Sequence, residues 1–98
     1  MMYIVFNINK EKTGKMNEAL KDDLVSRQSI SIREAKVLGE DMEGTLLLVE
    51  GTEDAIERAK EIFQDVGEIL MEDKAKPIYD KFKAEEDTVA DGVGFLFG

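Results

Sequence analysis

The chain has no cysteine, no histidine and no tryptophan, and only one proline among its 98 residues. Each absence closes off chemistry. Without cysteine there is no disulfide framework, no thiol nucleophile and no thiolate site for zinc or an iron–sulfur cluster. Without histidine the Ser/His/Asp and Cys/His arrangements, imidazole metal ligation and the usual general base near neutral pH are missing. Any catalysis is left to carboxylates, lysines and hydroxyls, so no catalytic residue, cofactor or metal is expected. Long apolar runs are absent too. None approaches the roughly 18 residues of a membrane span, and Met1-Met2-Tyr3-Ile4-Val5 has no basic stretch ahead of its apolar residues, as a secretion signal would. The expectation is a cytoplasmic protein with no membrane association.

What is present is apolar material and charge. Hydrophobic residues make up 43% and charged residues 36% of the chain, well above the roughly 25% charged of ordinary soluble domains. The chain can therefore fold, and at this length it buries one core. The excess is mainly Glu and Lys, the bias reported for hyperthermophile proteins, which agrees with a thermophilic source. The net charge of −9 argues against nucleic acid as a partner. It is unevenly spread: residues 37–73 hold twelve acids against two bases, whereas residues 1–36 hold seven bases against five acids. A two-sided charge distribution favours contacts through the more basic side.

Hydrophobic periodicity outlines the elements. Tyr3 to Ile8 reads as a buried strand. Met16, Ala19, Leu20 and Leu24 recur at three- and four-residue spacing, which predicts a helix from about Thr13 to Arg27 with Thr13 as its cap. Ser29 to Arg33 alternates as a half-buried strand, carried on by Ala35, Val37 and Leu38. Gly39 to Gly44 reads as a hairpin loop, and Thr45 to Glu50, with Leu46-Leu47-Leu48-Val49, as a central strand. A second helix follows, with an apolar stripe of Ala55, Ile56, Ala59, Ile62, Phe63 and Val66. Thr52 is its expected cap, Asp54–Arg58 a pair along it, and Gly67 its end. Glu68 to Glu72 reads as a fourth strand.

The order β, α, β, β, α, β with a central hairpin predicts an α+β domain of the ferredoxin-like βαββαβ kind, a four-stranded antiparallel sheet with two helices on one face. Residues 1–73 account for this core. Residues 74–98 are expected to add a C-terminal helix, with Pro77 in its first turn and Ile78 and Phe82 on one side, and an apolar tail. Helix and tail would pack on the core or on a partner subunit.

Two features bear on function. The first is Lys10, Lys12, Thr13, Gly14 and Lys15, which bring basic side chains to the start of the first helix, where free backbone N–H groups attract anions. The alternative is a solvated loop in which Thr13 caps the helix, and the spacing is not that of a P-loop. The element order resembles that of the small-molecule-sensing ACT domains, which hold ligands at this place. Gly14 is the shared residue, and lysines stand where those domains usually have a Pro-Gly or Asp-rich turn. That layout implies a sensor, here for a small anionic ligand. The second feature is Val93, Phe95, Leu96 and Phe97. Val93, Phe95 and Phe97 alternate with Gly94, Leu96 and Gly98 at the period of a strand, which would add to a sheet edge of its own or a neighbouring subunit, or fold over the bare sheet face. Glu85, Glu86, Asp87 and Asp91 read as a solvated helix end, and Glu53, Glu57 and Glu61 as the wet side of the second helix.

The leading functional expectation is a non-enzymatic interaction module that homodimerises through its open sheet face or its C-terminal segment. The alternatives are the anionic-metabolite sensor and a small enzyme whose pocket between sheet and helices involves Tyr3, Tyr79 or a buried acid such as Glu50 or Glu34.

Overall fold

Four short β-forming runs pair into one antiparallel sheet: β1 (Met2–Ile8), β2 (Ser29–Glu34), β3 (Thr45–Gly51) and β4 (Gly67–Ile69), in the spatial order β2-β3-β1-β4. The computed structural model describes the backbone of residues 2–97 and the side chains of residues 2–85. β3 is central, as its unbroken apolar run requires, and pairs with β1 (Val5↔Leu48) and with β2 (Ile32↔Leu47). Alternation along β3 divides the core. Leu47 and Val49 face one side of the sheet, Leu46 and Leu48 the other, and all four are fully buried.

The first side is covered by α1 (Thr13–Ala19) and α2 (Glu53–Ile62). Met16, Val25, Ile56, Ala59 and Phe63 pack there on Ile4, Phe6, Ile8, Leu47 and Val49, with the Phe6 and Phe63 rings 5.0 Å apart. Thr52 caps α2 as expected, its hydroxyl accepting from Ala55 N–H at 3.2 Å. The helix stops at Ile62, and Phe63 to Val66 turn down onto the core, so that Gly67 opens β4.

α1 is much shorter than its periodicity predicts. The loop before it is a tight turn over Lys10–Lys12, capped by the Asn9 side chain on Glu11 N–H at 2.9 Å, and Thr13 is the first helical residue with no capping bond of its own. After Ala19 the chain leaves the helix. Asp22 offers its carboxylate to the Val25 N–H at 3.2 Å, a local bond that competes with helical pairing. The result buries Val25 and leaves Leu24 at the surface. Arg58 pairs with this same Asp22, Nη2 to Oδ1 at 2.9 Å, and with Glu61, rather than with Asp54.

The second side carries the main correction. It is not bare. Helix α3 (Glu72–Phe97) begins directly after β4, a turn earlier than Pro77 predicts, because Met71 O accepts from both Lys74 and Ala75 N–H. Ala75, Ile78 and Phe82 bury against Val5, Leu46 and Leu48, joined by Ala35 and Leu38, which lie in a turn rather than in a continuing strand. Gly39 and Gly44 do take positive φ, as the hairpin requires, and a Cβ on Gly44 would lie 2.8 Å from the Ile8 carbonyl oxygen. The expected terminal strand is also overturned: residues 93–97 belong to α3. Once the helix is established at Glu72, each added residue gains a backbone hydrogen bond that an isolated edge strand would need a partner to supply. Among the described residues no helix is long and apolar enough to cross a membrane.

Candidate functional site

The lysine loop lies beside an open groove of about 770 Å³, lined by Asn7, Asn9, Lys10, Glu11, Lys12, Glu43 and the 64–68 turn. Lys10 and Lys12 reach it, whereas Thr13, Gly14 and Lys15 do not line it. Three of the loop's backbone donors are already engaged. Glu11 N–H donates to Asn9 Oδ1, Lys12 N–H to Asn9 O at 2.8 Å, and Thr13 N–H to Lys10 O. The Lys12 ammonium donates to Asp65 O at 3.0 Å, tying the loop to the turn before β4. Glu11, Glu43, Asp65 and Glu68 give the groove more negative than positive charge.

A second constellation sits where α3 meets the sheet. Glu50, 6% exposed, is the one buried ionic side chain among the described residues. It falls on the α3 side because residue 50 shares the parity of Leu46 and Leu48, and it stands opposite Tyr3 on β1. α3 supplies its partners from adjacent turns. Tyr79 OH donates to Oε2 at 3.3 Å, and Lys83 Nζ lies 2.6 Å from Oε1, an ion pair without hydrogen-bond alignment. The Tyr3 and Tyr79 rings stack with centroids 4.2 Å apart, and Lys76 and Lys83 lie 5.6 and 5.4 Å from the Tyr79 centroid. Tyr3 OH in turn donates to Glu72 at 3.2 Å. Desolvation, reinforced by the Glu72 carboxylate, raises the Tyr3 pKa above its ordinary value, so the phenol stays neutral. Lys76 is held protonated by its hydrogen bond to Asp80.

Tyr3, Tyr79 and Glu50 are thus brought together, while Glu34 is exposed on the far end of β2. Chemically the cluster is a clamp. Both Glu50 oxygens are engaged, and the ring pair closes the seam. A groove of about 580 Å³ beside it is lined by Met2, residues 27–29 and residues 50–53. Tyr3, Tyr79 and Glu50 were candidates in the sequence for a pocket between sheet and helices, whereas Lys83 and Glu72, which close on them, carry no local signal. The one signal was parity: Glu50 continues the Leu46, Leu48 face.

The outer edge of the sheet forms the third candidate. β2 has a neighbour on one side only, and a groove of about 310 Å³ runs along Ile30, Ser31, Ile32 and Arg33, bounded by Phe82 and Glu85 of α3. Arg33 Nε pairs with Glu85, and its Nη1 donates to Ile32 O at 2.7 Å. Glu85 is therefore engaged, and the side chains of Glu86, Asp87 and Asp91 lie outside the described residues, as do those of Val93, Phe95, Leu96 and Phe97. No family model, no curated protein and no solved structure matches the chain.

Proposed function

We propose that this protein is a cytoplasmic, non-enzymatic interaction module that forms a homodimer through the outer turns of α3, carried on a ferredoxin-like βαββαβ platform. The strand order β2-β3-β1-β4 and the helix between each outer strand and its neighbour in sequence support the platform. The observation that carries the dimer is the length of α3. Between Glu72, bonded to Tyr3 on β1, and Glu85, paired with Arg33 on β2, the helix already crosses the sheet. Four strands span only about 14 Å at their usual spacing, whereas a helix of 26 residues is about 39 Å long. The described part of this core takes Ala75, Ile78 and Phe82 from the first half of α3, and the sequence of positions 86–97 adds Val89, Val93, Leu96 and Phe97 at the three- and four-residue spacing of a single helix face. Position 95 stands off that face. A second copy of the same stripe is a fitting cover for it.

Sedimentation equilibrium on the full chain and on the Leu96→Glu, Phe97→Glu variant tests this. The parent should be dimeric and the variant monomeric with an unchanged far-UV spectrum; a monomeric parent at every concentration sinks the reading.

A second reading, a small-ligand sensor, is favoured by the 770 Å³ groove beside Lys10 and Lys12. Its mixture of lysines and carboxylates fits a ligand carrying both signs better than a simple anion. A thermal-shift panel of amino acids, nucleotides and phosphates should raise the melting temperature of the parent but not of Lys10→Ala, Lys12→Ala; no shift from any compound removes it.

A further inference from the structure

We propose that two copies of the chain join along the outer edge of β2, their β2 strands pairing antiparallel across a two-fold axis at Ile32, and that Arg33 is the guard that must leave this edge first. The inference rests on the homodimer reading and assigns it a second, backbone-mediated contact.

The register decides which groups the edge offers. Ala35 N–H donates to Gly44 O at 3.0 Å, and Glu34 pairs with Thr45, so the odd-numbered residues of β2 turn their backbone groups toward β3. Ile30, Ile32 and Glu34 therefore turn theirs outward. An edge of six residues without proline is a template for another strand unless something blocks it. Two blocks are present among the described residues. Glu34 O is taken by Val37 N–H at 3.0 Å, and Ile32 O is taken by the Arg33 guanidinium, which Glu85 holds in place from α3. The first is part of a tight turn. The second is one exposed side chain that can swing away.

Three observations make the occupant a second copy. With the axis at Ile32, that residue meets its own equivalent, Ile30 meets Glu34 of the partner subunit and Ser31 meets Arg33 of the partner subunit, so no like charges are opposed across the ladder. The chain carries −9, and like charge repels a second copy, whereas along this edge Arg27, Arg33 and Lys36 are each paired with an acid, Asp23, Glu85 and Glu43, so the approach of a copy here opposes few unpaired charges. Finally, α3 reaches β2 at Glu85 and continues for twelve residues more, so a copy docked on β2 brings its own outer α3 turns to the same side of the joined sheet. An unrelated extended peptide would fill the edge but would leave that helix face without its match.

Amide hydrogen exchange of the full chain, followed residue by residue by NMR across a concentration series alongside sedimentation, tests the proposal. The amides of Ser31 and Arg33, bonded within the sheet, should be protected at every concentration. Those of Ile32 and Glu34, which would donate to the Ile32 and Ile30 carbonyls of the partner subunit, should exchange fast when dilute and gain protection in step with dimer formation. Arg33→Ala should tighten the dimer on the order of a hundredfold, about tenfold for each of the two competing hydrogen bonds to a charged group that it removes. A dimer whose Ile32 and Glu34 amides stay fast overturns the edge pairing and leaves the α3 contact standing; a chain that never dimerises overturns both. Weaker association of Arg33→Ala overturns the guard.

Discussion

The two faces of the sheet are closed by different means. On the α1/α2 face the contacts are apolar throughout, and the ion pairs stay at the rim, as with Arg58 and Asp22. On the α3 face a narrow strip of Ala75, Ile78 and Phe82 is flanked by polar clamps: Glu50 with Tyr79 and Lys83, Lys81 with Glu40, and Arg33 with Glu85. Apolar burial is non-directional and gives stability, whereas ion pairs and hydrogen bonds fix one register at little net gain. The first face therefore holds the domain together, and the second sets where a long helix lies across the sheet.

The largest expected effect comes from a matched pair on the central strand. Leu47 and Leu48 are neighbours, both fully buried, facing opposite sides. Leu47→Ala should cost about 3–5 kcal/mol and Leu48→Ala about 2–3 kcal/mol, because the cost rises with the cavity that remains. The α3 side can shrink its cavity. Its helix contains Pro77, which lacks a backbone N–H, and hangs from one short connection after β4. Urea unfolding of both variants checks the difference, and equal losses would show that the faces are equally rigid.

A smaller effect tests the clamp. Lys83→Met leaves the Glu50 carboxylate buried without its cation and should cost about 1–3 kcal/mol, below the usual figure for a broken buried pair because the lysine is 37% exposed. Lys83→Met with Glu50→Leu should recover most of that loss. If the double variant is instead the less stable of the two, the clamp contributes stability as well as register, and the contrast between the faces weakens.

How much of this was legible follows the same division. The α1/α2 face could be read from the sequence because each of its elements carries its own period: the Leu46 to Val49 run, the stripe from Ala55 to Phe63, and Thr52 before it. The shortened α1 was not legible, since Leu20 and Leu24 keep helical spacing and only the Asp22 carboxylate, bonded to Val25 N–H, diverts the chain. On the α3 face the sequence pointed to a C-terminal helix, but its start and destination depend on long-range contacts. Tyr3 with Glu72, Glu50 with Lys83 and Arg33 with Glu85 are separated by tens of residues, and no local pattern announces them. The terminal alternation of Val93, Phe95 and Phe97 misled because period two and helical spacing coexist in a segment this rich in apolar residues and glycine. For the candidate sites, the basic loop ahead of α1 could be read from its lysines, but the bonds that occupy its Glu11, Lys12 and Thr13 backbone donors could not.

The smallest effect is a pH dependence confined to the rim of the first face. The Arg58 guanidinium, hydrogen-bonded to Asp22, holds that carboxyl below its ordinary value of 3.8, assisted by the Val25 N–H. A carboxyl depressed in the folded state stabilises the fold above its unfolded pKa, and that contribution is lost as pH falls through the lower folded value. The parent should therefore lose melting temperature steeply below about pH 4, and Asp22→Asn should flatten part of that slope while lying slightly lower at pH 7. Arg58 keeps Glu61 as a partner in the variant, which limits the loss at neutral pH. Melting curves from pH 7 down to about 2 would show the two proteins converging at the acid end. An acid slope unchanged by Asp22→Asn would mean that the pair does not favour the ionised carboxylate. The apolar core beneath it holds no titratable side chain and should not respond to pH, which is what distinguishes this face from the clamped one across the sheet.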